Sequence, residues 1–131
     1  MHIFRVTPGK ELVESISDYC QSRGINGGVV TGIIGSLNNV SLGFLKELPG
    51  KYITREFAGP LEIAASQGSV GICGDERVIH IHMTISDEHG AVGGHLVSGE
   101  VFSTAEVIIK ELQDCIARRT DDYTGLKELS D

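Results

Sequence analysis

The strictest pattern in the chain is the alternation of apolar and polar side chains between residues 78 and 85. The apolar positions are Ile79, Ile81, Met83 and Ile85. Because successive side chains of a strand point to opposite faces, the pattern predicts a strand with one buried face and with His80 and His82 together on the other. Residues 87–90 then predict a turn, and residues 92–97 predict the strand that returns beside the first.

A helical period occurs near the N-terminus. Apolar side chains recur there at spacings of one, three and four residues, at Leu12, Val13, Ile16, Tyr19 and Cys20. Thr7 and Pro8 predict the start of this helix, with Thr7 as the N-cap. Gly24 predicts its end, as a glycine in the left-handed conformation. This is the one firm helix that the sequence predicts.

Strand patterns fill most of the remaining chain, separated by glycine, proline and asparagine. The predicted strands cover residues 4–6, 28–34, 40–45 and 52–57, with a turn at Asn38-Asn39, and residues 61–73 as one long strand or two short ones. Residues 103–112 fit two structures equally. Ser103 and Glu106 form a helical capping box, whereas the β-branched residues 107–109 favour a strand. From about residue 120 the chain is polar, and we expect an extended tail.

Length and composition bound the class of protein. A chain of 131 residues, 40% hydrophobic and 22% charged, predicts a single α+β domain over residues 1–131, a mostly antiparallel β-sheet with one or two flanking helices. There is no membrane-spanning run and no signal-peptide pattern. We therefore expect a cytoplasmic protein with reduced, buried thiols at Cys20, Cys73 and Cys115. The net charge of −7 and the scarcity of aromatic residues argue against direct binding to nucleic acid.

The turn after the histidine-bearing strand sets a pairing register. If residues 87–90 form a four-residue loop, His95 lies opposite His82 and shares the polar face with His80. The same register pairs apolar residues on the other face, Ile85 with Val92 and Ile81 with Leu96. Three imidazoles so placed predict a divalent transition-metal site, most simply zinc, with an open position for water or a small-molecule ligand. The alternative is a half-exposed sheet face whose histidines bind nothing.

The sequence assigns no catalytic residue beside this cluster. Glu62 and Asp75 are candidates for a general base, but the sequence does not place them. His2 and His89 are expected to be exposed and outside the site. The chain has no glycine-rich nucleotide-binding motif and no G-x-S-x-G motif.

Several segments resemble one family when they are taken together. They are Arg-Val-Thr-Pro-Gly at 5–9, Gly-Pro-Leu-Glu-Ile at 59–63, Ile-His-Ile-His at 79–82, Gly-Gly-His-Leu at 93–96 and Thr-Ala-Glu-Val at 104–107. Their order and spacing resemble the plants-and-prokaryotes conserved (PPC) domain, which plants attach to AT-hook motifs, over the chain to about Leu126. The resemblance implies an antiparallel sheet flanked by helices, assembled as a homotrimer, with a strand at residues 105–109. It also implies that His80, His82 and His95 match the suspected metal ligands of prokaryotic members.

The chain departs from the plant members in two ways. It has no Arg-Gly-Arg-Pro AT-hook, and Pro60-Leu61 stand where the plant partner-binding motif has Arg-Phe, so that only Glu62 and Ile63 remain. The plant role in transcription is therefore not carried over. Three functions stay open: a metal-binding trimeric protein acting on a small molecule, a DNA-associated or regulatory binding module without catalysis, and a purely structural oligomer.

Apolar strand positions also predict self-association. We expect a homo-oligomer, because one helix cannot cover all the apolar strand surface. The positions concerned are Val29, Ile33, Ile34, Val40 and Leu42.

Overall fold

One helix and eight strands form the fold in the computed structural model, which describes residues 1–130. In chain order they are β1 (His2–Val6), α1 (Leu12–Arg23), β2 (Gly28–Glu47), β3 (Lys51–Phe57), β4 (Leu61–Cys73), β5 (Glu76–Asp87), β6 (Gly90–Glu111), β7 (Ala117–Thr120) and β8 (Lys127–Leu129). The predicted α+β class, a mostly antiparallel sheet with one helix, is confirmed. Within residues 1–130, no helix has the length and apolar character needed to cross a membrane.

The four longest strands close into a ring of pairings. The sheet order is β3-β2-β6-β5-β4-β7-β8, and β2 also pairs with β4, so that β2, β6, β5 and β4 each have ring neighbours on both sides. β1 is added beside β6 and β3 beside β2. Among the described pairings only β4 with β7 is parallel. A closed ring leaves none of its four strands as a free edge along its full length.

The core lies on the inner side of this ring and under α1. Its aliphatic side chains come from alternate positions of the ring strands, as the two-residue period of a strand requires. Three side chains of α1 are fully buried against it: Leu12, Ile16 and Cys20. The predicted apolar face of the helix is thereby confirmed. Cys115, by contrast, is exposed in the segment between β6 and β7, so the expectation that all three thiols are buried is wrong.

The helix begins later than its sequence pattern predicts. The N-cap is Glu11, whose carboxylate accepts a hydrogen bond of 2.6 Å from the Glu14 N–H, whereas Thr7 and Pro8 lie before it in a turn. The other oxygen of Glu11 accepts from the Gly99 N–H at 2.9 Å, which fixes this residue against β6. The contact between Glu11 and Gly99 of β6, rather than the local sequence, therefore determines which residue is the N-cap of α1. The predicted end is correct, since Gly24 caps α1 with φ 68°.

β2 is one strand where the sequence predicts two. Asn39 has φ 48°, which is typical of a turn, but the pairing with β6 continues on both sides of it, from Asn38 opposite Glu100 to Ser41 opposite Ser98. The predicted turn at Asn38-Asn39 is therefore wrong. It is a bulge, because β6 runs alongside and accommodates the extra residue without a reversal of the chain.

The ambiguous segment at residues 103–112 lies in strand β6 up to Glu111. Ala105, Val107 and Ile109 are fully buried, and β1 pairs with this part of β6, so the strand implied by the family resemblance is confirmed. Burial within one chain also changes the argument for self-association. Of the five residues on which that argument rests, three are buried in the chain's own core and only Val29 and Ile34 are exposed: the buried ones are Ile33, Val40 and Leu42.

Candidate metal centre

The three predicted histidines meet on one face of the β5–β6 hairpin. His82 lies directly opposite His95 in the strand register, and His80 stands two residues earlier on the same face of β5. The ring centroids are 5.2 Å apart for His80 and His82, 5.3 Å for His80 and His95, and 5.6 Å for His82 and His95. One ring nitrogen from each residue can be chosen so that all three lie within 4.8 Å of one another. The structure therefore brings together the set that the sequence predicts.

The turn between β5 and β6 fixes this geometry. Asp87 Oδ1 accepts hydrogen bonds from the backbone N–H groups of His89 at 2.8 Å and Gly90 at 3.1 Å. Asp87 itself pairs with Gly90, and the ladder runs without a register shift to His82 and His95. The predicted register is confirmed. The apolar pair Ile85 and Val92 also lies where it is predicted.

Close packing on both flanks holds the histidines in place. On the β4 side, a Cβ at Gly68 would collide with the carbonyl oxygen of His80, so this glycine permits the approach of β4 to β5. On the β2 side, a Cβ at Gly94 would lie 3.0 Å from the Phe44 ring and 3.1 Å from the Gly43 carbonyl oxygen. The backbone under the cluster is therefore held from two sides.

Burial favours the neutral form of two of the imidazoles. His80 and His95 are half-buried and His82 is exposed. Loss of hydration lowers the pKa of His80, and the nearby His95, Arg118 and His82 lower it further, against an opposing contribution from Glu128. Burial, with a smaller contribution from His82, likewise lowers the pKa of His95. Neutral imidazole is the form that binds a metal ion.

His95 carries a buried nitrogen without a partner. Its Nδ1 is inaccessible to solvent and makes no hydrogen bond within the described chain. Buried polar atoms are rarely left unsatisfied, so an unpartnered ring nitrogen in a histidine cluster fits a group that is bound there. Tetrahedral coordination at about 2.0–2.1 Å would place the ligating nitrogens roughly 3.3 Å apart. The three ring nitrogens, which lie within 4.8 Å of one another, would have to approach by at most about 1.5 Å to reach that spacing.

A cavity of about 450 Å³ opens beside His80 and His95. Its far wall consists of residues of β7, β8 and the turn between them: Arg118, Gly125, Leu126, Lys127 and Glu128. The sequence pattern does not predict this wall, since it gives an extended tail. One signal was present, however. Asp121 Oδ1 accepts from the N–H groups of Tyr123 at 3.0 Å and Thr124 at 2.8 Å, a turn that the sequence Asp-Asp-Tyr-Thr-Gly at 121–125 favours.

The other titratable residues considered from the sequence lie elsewhere. Glu62 is paired with Ser86, and Asp75 lies in the turn between β4 and β5; neither lines the cavity. His89 is exposed, as expected. His2 is not exposed, which corrects the expectation: its Nε2 lies 2.9 Å from Glu111 and its Nδ1 3.3 Å from the Tyr19 hydroxyl, because β1 packs beside β6 and α1. Glu128 is the carboxylate that lines the cavity.

Comparisons with known proteins identify the family. The family model described as the Plants and Prokaryotes Conserved (PCC) domain matches residues 1–113. The chain belongs to this family, as its motifs indicate. β7 and β8 lie beyond the matched residues. Among curated proteins, no sequence matches the chain.

Solved structures share the whole fold. A metal-containing protein from Archaeoglobus fulgidus is 27% identical, with a TM-score of 0.90 over 99% of this chain and 92% of that one. A plant- and prokaryote-conserved (PPC) protein from Pyrococcus horikoshii is 30% identical, with a TM-score of 0.89 over 99% and 90%. A protein described as a candidate DNA-binding protein, from Bacteroides thetaiotaomicron, is 23% identical, with a TM-score of 0.91 over 98% and 90%. This last similarity establishes the fold alone.

Proposed function

We propose that this PPC protein binds one divalent transition-metal ion per subunit through His80, His82 and His95. The observation that carries the proposal is the convergence of three ring nitrogens within 4.8 Å on one face of a rigid hairpin. Zinc fits most simply, since three imidazoles with an open fourth position form a common zinc site. The open position would take water or a small molecule, which is the arrangement used by catalytic rather than structural zinc sites.

Two further observations support the proposal. The unpartnered Nδ1 of His95 is what an absent ligand would leave behind, and the lowered pKa values of His80 and His95 keep both rings neutral at neutral pH. The Archaeoglobus fulgidus relative, 27% identical, is described as metal-containing. That description applies to the relative, and it supports the proposal that this chain also binds a metal ion.

The proposal includes assembly as a homotrimer, the state that the family resemblance implies. Ile3 and Ile34 are 69% and 59% exposed on the outer face of β1 and β2, where they stand opposite Ile108 and Glu106 of β6. Exposed apolar side chains on one sheet face favour burial against another copy. We expect sedimentation equilibrium to give the mass of three chains and Ile34→Glu to reduce it. Tyr123→Glu, on a distant exposed turn, should leave it unchanged; a monomeric wild type would exclude the trimer.

Metal uptake tests the site directly. The protein is incubated with Zn²⁺ and desalted, and its bound metal is measured by inductively coupled plasma mass spectrometry. Wild type should retain one ion per chain, and His82→Ala should lose most of it, because two imidazoles remain for a site that needs three. His89→Ala is the matched control, since His89 lies in the same hairpin but is exposed at its turn. Equal retention by wild type and His82→Ala would contradict the proposal.

The competing function is a DNA-associated or regulatory module without catalysis. The net charge of −7 and the missing AT-hook argue against direct contact with phosphates. We therefore expect only weak, non-specific binding of duplex DNA, lost on raising the salt concentration in a mobility-shift assay. Sequence-selective binding at physiological salt would favour the competing function.

A further inference from the structure

The cavity beside the histidine cluster contains a buried positive charge. Arg118 of β7 is only 9% exposed and lines the cavity together with His80 and His95. Its guanidinium donates to the Lys127 carbonyl oxygen and to Ser69 Oγ, both at 2.8 Å. Its Nε is buried and has no acceptor within residues 1–130. A guanidinium has five N–H donors, so this arrangement leaves part of its hydrogen-bonding capacity unused.

Among the described residues, no carboxylate forms an ion pair with this guanidinium. Within residues 1–130, none lies within 4.0 Å of the Arg118 guanidinium, and the neighbouring Lys127 is paired with Glu76. Glu128 lines the same cavity but makes no ion pair with Arg118. Charged groups in protein interiors are normally paired, because burial without a counterion is costly. The cavity therefore has the electrostatic character of an anion site.

The metal ion would add to this imbalance. Three neutral imidazoles do not reduce the double positive charge of a divalent ion, so the cavity wall would carry that charge together with Arg118, against Glu128 alone. Below His82, on the other side of the cluster, lies a second depression of about 410 Å³ whose polar groups include Ser66, Gln67 and Thr84 and which has no lining Arg or Lys. An anion is therefore favoured on the Arg118 side only.

The remaining walls define the rest of the ligand. Tyr52, Val78, Val97 and Leu126 give the cavity a mainly apolar lining, and the Tyr52 ring lies 5.8 Å from the His95 ring between centroids. Mainly apolar walls with a few convergent polar or charged groups are typical of small-molecule sites. The volume of about 450 Å³ admits a molecule of about the size of a substituted aromatic acid.

We propose that this cavity binds a small organic carboxylate, with its anionic end between the metal ion and Arg118 and its apolar body against Tyr52, Val97 and Leu126. The inference rests on the proposed metal site for the position of the anionic end. Arg118 is then a binding residue with two roles, since it also anchors β8 through the Lys127 carbonyl. No reaction is implied by this binding.

Cobalt(II) in place of zinc provides the test. Its visible spectrum changes when an anion enters the coordination shell, so the Co²⁺-loaded protein is titrated with benzoate, with benzamide as the neutral analogue of the same shape. Benzoate should change the spectrum and benzamide should not. Arg118→Gln should weaken benzoate binding by about 10-fold or more, as expected for the loss of a charge-assisted hydrogen bond. Arg119→Gln is the matched control, because Arg119 is the adjacent, exposed arginine of β7 and does not line the cavity.

A second variant keeps the test independent of the anchoring role of Arg118. Val97→Trp narrows the apolar part of the cavity without changing a histidine, Arg118 or strands β7 and β8, so it should weaken benzoate binding while acetate still changes the spectrum. Normal cobalt uptake with equal benzoate affinity in wild type, Arg118→Gln and Val97→Trp would overturn the anion site alone. Failure of the wild type to bind cobalt would instead overturn the metal site, and with it the position assigned to the carboxylate.

Discussion

The two walls of the cavity are held in the fold in different ways. His80 and His82 lie on β5, which is paired with β4 on one side and, at His82, with β6 on the other. Arg118 lies on β7, whose pairing with β4 is limited to Ala117 opposite Ile72 and Arg118 opposite Cys73. The wall that bears the histidines is part of the closed ring, and we call it the ring wall. The wall formed by β7 and β8 is a short hairpin attached to the ring, and we call it the hairpin wall. The three histidines are therefore positioned by the global fold, and the residues facing them by a few local contacts.

This contrast implies that the two walls differ in their local stability. Local opening is easiest where few pairings and few buried contacts hold a segment. We therefore expect that the β7–β8 hairpin can open without displacing the backbone of the histidines, whereas that backbone cannot move without disturbing the ring. Substitutions in the two walls should therefore have different thermodynamic signatures.

The largest effect is expected in the ring wall. Ile81 lies between His80 and His82 in sequence, points to the opposite face and is 1% exposed in the core. Ile81→Ala should lower the free energy of unfolding by about 2–5 kcal/mol, through lost burial and the cavity that remains. Chemical denaturation followed by circular dichroism measures this. A loss no larger than that of Ile3→Ala, at a 69% exposed position, would contradict the burial assigned to the strand.

A smaller effect is expected in the hairpin wall. Arg118→Gln removes the charge-assisted hydrogen bonds to the Lys127 carbonyl and Ser69 Oγ. It should cost about 1–3 kcal/mol, confined to opening of β7 and β8. Limited proteolysis should show faster cleavage after residue 116, while denaturation of the rest follows the wild-type curve. If the cleavage rate does not change, or if the whole chain unfolds together, the two walls are not independent.

The smallest effect concerns pH in the metal-free protein. Burial lowers the pKa of His80 and His95 below the ordinary value of 6.5, so the folded chain binds fewer protons than the unfolded chain as the pH falls below that value. Stability from this source is complete above about pH 6.5 and is lost as the pH falls through the folded-state pKa values. Thermal unfolding from pH 7.5 to 5 should show this slope. His80→Ala should reduce it and His89→Ala should not; the reverse result would assign the slope to other groups.

The ring wall was predictable from the sequence because its signals are local. The alternation around His80 and His82, followed by the Asp87 turn, sets both the face and the register, and the structure has that register. The position of His95 follows from counting across one hairpin. The Gly24 cap is local in the same sense.

The remaining features depend on contacts far apart in the chain. Glu11 caps α1 in place of Thr7 because Gly99 of β6 holds it, and Asn39 is a bulge because β6 pairs on both sides. Arg118 reaches the cavity only because β7 pairs with the far end of β4. A pattern read within a short window contains no information about such partners, so the cavity wall opposite the histidines stayed unpredicted.

The position of the hairpin after the ring strands has a consequence for biosynthesis. All strands of the ring lie before residue 112, so a chain that emerges N-terminus first can complete the histidine cluster before β7 and β8 have emerged from the ribosome. The cavity is then the last feature to form, by docking on a finished surface. For the same reason, residues 117–129 can be exchanged for those of a relative without altering any pairing of the ring. The fold thus offers protein engineers a fixed wall that bears the histidines and a replaceable wall opposite it.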